Sequence, residues 1–348
     1  MLDEALEILA GDGPDLRNGM TTHAPMVAEA LCALGRPDAV IPWLERYRAG
    51  ALPRPPRIEP IDRVHWRSAL AQEKRSSDWS AFFAEELAEA AWRDVLDRWV
   101  ARLAPGYCAA ATHGVIRVGH AARALGETES PRRLRELADA LASWASTYQE
   151  LPTALGVEPR VAASTPAAAI ARVAIVPKAQ RRFRGTIVSA LEGLSEVPQF
   201  APVIGLVDLD RDPAALVSEL ADVFARVFLT NSRDGLTAVV FAHGVTSIAA
   251  LANLLPHISG DTARATLPFA WQSACGLYAT FGSEPDLAAE REVERGPADP
   301  ATLVDRAIAH GDEHAIKLAE ACLSSSKRGS SPAFGAAARR ALELLPPA

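Results

Sequence analysis

The chain has 348 residues, of which 49% are hydrophobic and 23% charged, with 25 prolines and 22 glycines. That composition excludes a disordered polymer, a collagen-like repeat and a small disulfide scaffold, and a folded chain of this length buries about three quarters of its unfolded surface. With 36 basic against 43 acidic residues the formal charge is −7, so neither nucleic acid nor an anionic membrane is an expected partner.

Only Lys74, Lys178, Lys317 and Lys327 break an otherwise all-arginine basic set, so a lysine in an apolar setting calls for a reason. Cys32, Cys108, Cys275 and Cys322 form no CxxC pair, which suits a reduced chain. Asp3 and Glu4 stand where an export leader would be basic. A cytoplasmic location is therefore expected.

In chain order, residues 3–10, 22–34 and 37–48 read as three short helices. Four prolines within 51–60 predict an extended segment. Because Trp66, Trp79 and Trp92 follow and need a core, this segment reads as a strap across one body, not a linker. Leu87, Ala91, Val95, Trp99 and Leu103 share one helical stripe, closed by Pro105 and Gly106. Leu134, Leu137, Leu141, Trp144 and Tyr148 make another, opened by Ser130 and Pro131. An Ala-rich stretch over 161–177 reads as loop and helix, and Asp212 with Pro213 opens a helix carrying Leu216, Leu220, Val223 and Val227.

Residues 236–255 are apolar over a membrane-spanning length, yet His243, Thr246, Ser247 and Asn253 lie within them and no basic flank orients them. They read as a central helix buried on most sides. Residues 261–281 predict a helix interrupted near Pro268; Pro300–His310 and 313–323 follow, parted by Gly311 and Asp312. A polar loop over 324–331 precedes a last helix over 333–345. Strict alternation is hard to find, so the fold class is all-α: a single domain over 1–348 around a histidine-lined interior cavity.

Neither GxGxxG, GxxxxGK[ST] nor GxSxG occurs, which leaves a built-in nucleotide site or a hydrolase elbow without support. The histidines say more. His23, His113, His120, His243 and His314 sit among apolar or small residues. Each alone suits a hydrogen-bonded core residue; together they suit a site. His113, Arg117 and His120 fall at i, i+4 and i+7 on one helix face, and His314 and Lys317 at i and i+3 on another. Bundle interiors build metal sites in this way. Gly114, Gly119 and Gly244 beside them allow close backbone approach, or ordinary tight packing. Lys317, between Ile316 and Leu318, is a snorkelling lysine, a partner of Glu313 or Glu320, or a buried amine able to take up carbon dioxide and become an anionic carbamate.

Four blocks, 22–31 (THAPMVAEAL), 111–120 (ATHGVIRVGH), 242–247 (AHGVTS) and 312–317 (DEHAIK), resemble the questin oxidase-like family, in order and in wide spacing, over residues 5–323. The resemblance implies a helical oxygenase of aromatic polyketides, whose fungal members open an anthraquinone ring with dioxygen. It implies non-haem Fe(II), with Mn or Zn as substitutes in purified protein, held by His23, His113, His243, His314 and a carboxylated Lys317. Arg117 and His120 would be the catalytic residues that orient or protonate. NADPH would serve as an external reductant. Where fungal members carry extra histidines, this chain has Met26 or Val27, and Arg117, a departure that resembles the bacterial branch. The alternative is a non-catalytic helical small-molecule-binding protein that keeps the fold.

Overall fold

Hydrophobic period and end caps place the helices of the computed structural model, which describes residues 1–154, 164–283, 293 and 299–348. In chain order the helices are α1 Leu2–Ile8, α2 Ala24–Ala33, α3 Val40–Tyr47, α4 Ser76–Glu89, α5 Trp92–Leu103, α6 His113–Glu127 and α7 Pro131–Ser146. Then come α8 Pro166–Ile170, α9 Ile187–Glu192, α10 Pro213–Asn231, α11 Gly235–Leu254 and α12 Gly260–Phe281. The last three are α13 Pro300–His310, α14 Glu313–Arg328 and α15 Pro332–Leu344. Ser130 and Asp212 cap α7 and α10 as expected, each accepting a backbone N–H from the first turn. Asp234 and Thr237 close a reciprocal capping box at the start of α11.

Helix α11 is the centre of the fold. It packs against α6, α10, α12 and α14, and every residue from Val240 to Leu254 is buried. Although long and apolar enough to cross a membrane, its apolar window is 89% buried inside the protein. The main core runs from the Trp66, Trp79 and Trp99 aromatic cluster through α6, α10, α11 and α12 to α15, and a smaller one joins α1, α2 and α3 to Ile316 and Ala319. The histidine helices α2, α6, α11 and α14 meet where these two cores adjoin.

The Pro-rich strap does lie across the body. Its carbonyls and N–H groups bond to the start of α4, through Ser77 to Pro55, Asp78 to Ile58 and Glu59, and Arg75 to Glu59 and Pro60. The chain is not wholly without strands, however. Residues Ala51–Pro53 (β2) pair antiparallel with Asp12–Leu16 (β1), anchoring the strap's start.

Three other departures have local causes. The stripe from Leu87 to Leu103 is two helices, because the backbone is extended at Ala90 and Ala91. The break turns Trp92 inward, where Nε1–H donates to Glu129 at 2.7 Å, and leaves Ala91 exposed. Pro268 does not interrupt α12. The carbonyl it deprives of a partner belongs to exposed Arg264, where water can serve it. Helix α14 continues to Arg328 through the serines expected to form a loop, since Ser324 bonds to Glu320 and Ser326 to the Cys322 carbonyl, each one turn back. Of the Ala-rich stretch, residues 161–163 lie outside the described residues, and the rest contains α8.

Candidate metal centre

Four imidazoles from four helices meet in the interior. His23 precedes the first turn of α2, His113 opens α6, His243 lies mid-α11 and His314 lies in the first turn of α14. All four are buried. His23 and His113 approach Nε2 to Nε2 at 2.6 Å, and His243 Nε2 lies 3.3 Å from the same His113 nitrogen. Ring centroids are 4.7 Å apart for His23 and His314, and 5.4 Å for His243 and His314. His23, His113 and His314 each present a ring nitrogen within 4.8 Å of the other two; His243 adds its Nε2 on the His113 side.

Backbone carbonyls set the ring orientations. Val239, one turn before His243, accepts from its Nδ1 at 2.7 Å. Ahead of His113 the residues Ala110, Ala111 and Thr112 all adopt positive φ, at 47°, 57° and 74°. For residues with a Cβ each such conformation costs about 1–3 kcal/mol, and runs of this kind gather at functional sites. The resulting turn brings the Ala110 carbonyl under the His113 ring, where it faces Nδ1 at 2.5 Å. With Nδ1–H committed to a carbonyl, both rings direct an Nε2 lone pair at the common point, the arrangement a metal-binding imidazole needs. His314 Nε2 is buried with no hydrogen-bond partner among the described residues, and so is His23 Nδ1.

Lys317, one turn along α14 from His314, is 2% exposed. Among the described residues it forms no ion pair with either proposed acid: Glu320 is taken by Arg123 and Ser324, and Glu313 lies against His23 and His314. Burial lowers the Lys317 pKa to about 8 against the opposing pull of Glu313 and Asp312. Burial and then Lys317 hold His113 down to about 3, and burial likewise puts His23 and His243 well below the ordinary imidazole range. All three rings are therefore neutral and available as donors at neutral pH.

Arg117 and His120 share the α6 face with His113, but their polar atoms go elsewhere. Arg117 makes a two-pronged ion pair with Glu136 of α7 at 2.7 and 2.8 Å. His120 Nδ1 meets Glu29 of α2 at 2.5 Å, and Glu29 also accepts from Arg123, which reaches on to Glu320. Among the described residues no hydrogen bond or ion pair joins Arg117 or His120 to the four imidazoles. Arg117 ties α6 to α7, and the His120 cluster ties α6 to α2 and α14. Glu29 was not singled out in the sequence, although a lone acid inside THAPMVAEAL was a signal; Glu320, expected as a partner of Lys317, is paired with Arg123.

Of the three glycines, two serve close approach. A Cβ on Gly114 would stand 2.8 Å from Trp144 Cα, and one on Gly119 would stand 2.8 Å from Ala250 Cα. Gly244 is different, its nearest such neighbour being a Phe224 ring carbon at 3.9 Å.

The donors suit a divalent cation of the iron, manganese or zinc type: neutral imidazole nitrogens, no thiolate, and a buried amine convertible to an oxygen donor. Two nitrogens on one metal at about 2.1 Å lie roughly 3.0–3.4 Å apart. The 3.3 Å separation of His113 and His243 matches this, and the 2.6 Å separation of His23 and His113 would have to open. A search of curated proteins finds no match. A family model described as Questin oxidase-like matches residues 22–322, which contain all four imidazoles and Lys317. The chain therefore belongs to the questin oxidase-like family.

Proposed function

We propose that this protein is a non-haem iron-dependent oxygenase that opens a ring of an aromatic polyketide or similar quinone-like small molecule, using dioxygen and a reductant such as NADPH from solution. The observation that carries this reading is the meeting of four buried imidazoles, two of them with Nδ1 facing a backbone carbonyl and Nε2 facing inward. Family membership supports the oxidase chemistry and a small-molecule substrate. His23, His113, His243, His314 and Lys317 would hold the iron, which when bound supplies a redox-active Lewis acid for dioxygen chemistry.

The chain's own contributions follow from its residues. Neutral imidazoles bring no negative charge, so a dication in this dry setting calls for an anion. Lys317 answers that need as a carbamate: its amine nitrogen bonds to the carbon of carbon dioxide and one N–H proton leaves to water. With a pKa of about 8, about one amine in ten is neutral at pH 7 and able to react. A small cavity lined by Thr22, Pro25, Arg117 and Arg54 flanks the His23 side. It shares Arg54, Arg135 and Asp139 with a groove of about 550 Å³ between α4 and α7. None of the four imidazoles lines either one.

The test is anaerobic loading of untagged protein with Fe(II), followed by metal analysis and dioxygen uptake with a hydroxyanthraquinone. About one iron per chain and substrate-dependent uptake, both lost in His243→Ala, are expected. Protein that stays metal-free yet binds the aromatic compound tightly would instead be a non-catalytic binding protein.

A further inference from the structure

We propose that Glu313 is the carboxylate that fixes His23 for metal binding through its Nδ1 atom, and that His23 exchanges tautomer as the metal enters. This rests on the metal-centre reading above. Glu313 Oε1 lies 3.6 Å from His23 Nδ1, whereas His314 Nδ1 has Asp312 Oδ1 at 3.8 Å and Glu313 Oε1 at 3.9 Å. These separations are longer than hydrogen bonds, and small ring rotations would close them.

Among the described residues no other carboxylate lies within 4 Å of His23 Nδ1. Asp312 Oδ1 accepts the backbone N–H groups of His314 and Ala315. Glu29 serves His120 and Arg123, Glu320 serves Arg123 and Ser324, and Glu136 serves Arg117. Glu313 accepts no hydrogen bond among the described residues, so its carboxylate is uncommitted.

The protons then balance in one way. His113 Nδ1–H is given to the Ala110 carbonyl, so His113 Nε2 is an acceptor. The 2.6 Å contact therefore needs the proton on His23 Nε2, and this leaves His23 Nδ1 a buried lone pair with no donor to meet it. For His23 Nε2 to become a ligand, that proton must leave it. The ring stays neutral if the proton reappears on Nδ1, where Glu313 Oε1 is the acceptor in reach. A carboxylate behind a metal-bound imidazole in this manner orients the ring and strengthens its donor nitrogen.

The experiment titrates Zn(II) against a competing chelator and records nitrogen NMR of histidine-labelled protein with and without Zn(II). The wild-type chain should bind, with His23 protonated at Nε2 before loading and at Nδ1 after. Glu313→Ala should weaken Zn(II) binding about 10- to 100-fold. Glu313→Gln, whose amide oxygen still accepts, should fall between, and thermal melting should show both variants folded, since the Glu313 side chain is 27% exposed. Wild-type affinity in Glu313→Ala, or an unprotonated His23 Nδ1 in the loaded protein, overturns the role of Glu313 while leaving the metal centre standing. A wild-type chain that takes up neither Zn(II) nor Fe(II) removes both.

Discussion

His23 and His113, ninety residues apart in the chain, meet Nε2 to Nε2 at 2.6 Å. Only one proton fits between nitrogens at that distance, so at least one ring of the pair is an acceptor and the two cannot both be charged. With His243 and His314 packed on either side, His23, His113 and His243 make a set of neutral imidazoles beside a buried amine. Its energetics are those of groups kept from charging.

Acid should therefore weaken the metal-free fold before carboxylates are involved. Burial first, and neighbouring positive charge second, keep His23, His113 and His243 below the ordinary value of 6.5, His113 down to about 3. The unfolded chain takes up protons below 6.5 while the folded one does not, so stability is full above that pH and is lost as pH falls toward the folded values. Each ring contributes a slope of about 1.4 kcal/mol per pH unit. Urea unfolding from about pH 6.5 to 5 should show this slope, and His113→Phe should remove one ring's share. A flat curve would mean that the rings charge inside the fold.

Gly119→Ala should destabilise the protein by about 1–3 kcal/mol and also lower metal affinity, because the added methyl meets Ala250 Cα at 2.8 Å and pushes α6 from α11. His113 and His243 ride on those two helices. Gly244→Ala is the control: it sits beside His243 but meets only a ring carbon at 3.9 Å, so helix propensity should stabilise it by up to about 1 kcal/mol. Thermal melts of both variants decide; equal behaviour would show that α6 and α11 are not pinned by this contact.

Lys317→Met should act in opposite directions on stability and on metal. Removing a buried amine that has no ion-pair partner among the described residues should raise metal-free stability by roughly 1–3 kcal/mol. Metal loading should fall, and added bicarbonate should raise loading only in wild-type protein prepared without carbon dioxide. A crystal structure with full metal occupancy and an unmodified Lys317 would leave the histidines as the ligand set.

Glu29→Gln should cost about 3 kcal/mol in urea unfolding, the usual loss when one partner of a buried pair is removed. Burial alone would raise the Glu29 pKa, but the Arg123 guanidinium and the His120 hydrogen bond more than reverse this and bring it down to about 2. Its folded value lies below the ordinary 4.5, so this contribution is present above that pH and is lost as pH falls toward 2. Loss of less than about 1 kcal/mol would show that Glu29 does not hold His120 and Arg123.

The helices were legible because their signals are local: Ser130 and Asp212 cap from within one turn of what they cap, and Leu216 to Val227 repeats at the helical period. The four motif blocks likewise named the imidazoles, since a histidine among alanines and glycines is anomalous wherever it sits. Local signals could not show the turn at Ala90 and Ala91, which carries no glycine or proline and exists because Trp92 finds Glu129 and a core. Nor could they show the left-handed run over Ala110 to Thr112, three residues with no such preference, held there by the packing around them.

Partner choice was the other limit. On α6 the sequence put His113, Arg117 and His120 on one face with equal standing, and only the neighbouring helices divided them. Glu136 on α7 claims Arg117, Glu29 on α2 claims His120, and His23 and His243 are left to His113. Which residues carry an imidazole or an amine was fixed by side-chain chemistry within each block. Which nitrogen faces which neighbour was decided by the tertiary structure, because a hydrogen bond depends on distances of a few tenths of an ångström between residues that the sequence separates by 19 to 130 positions.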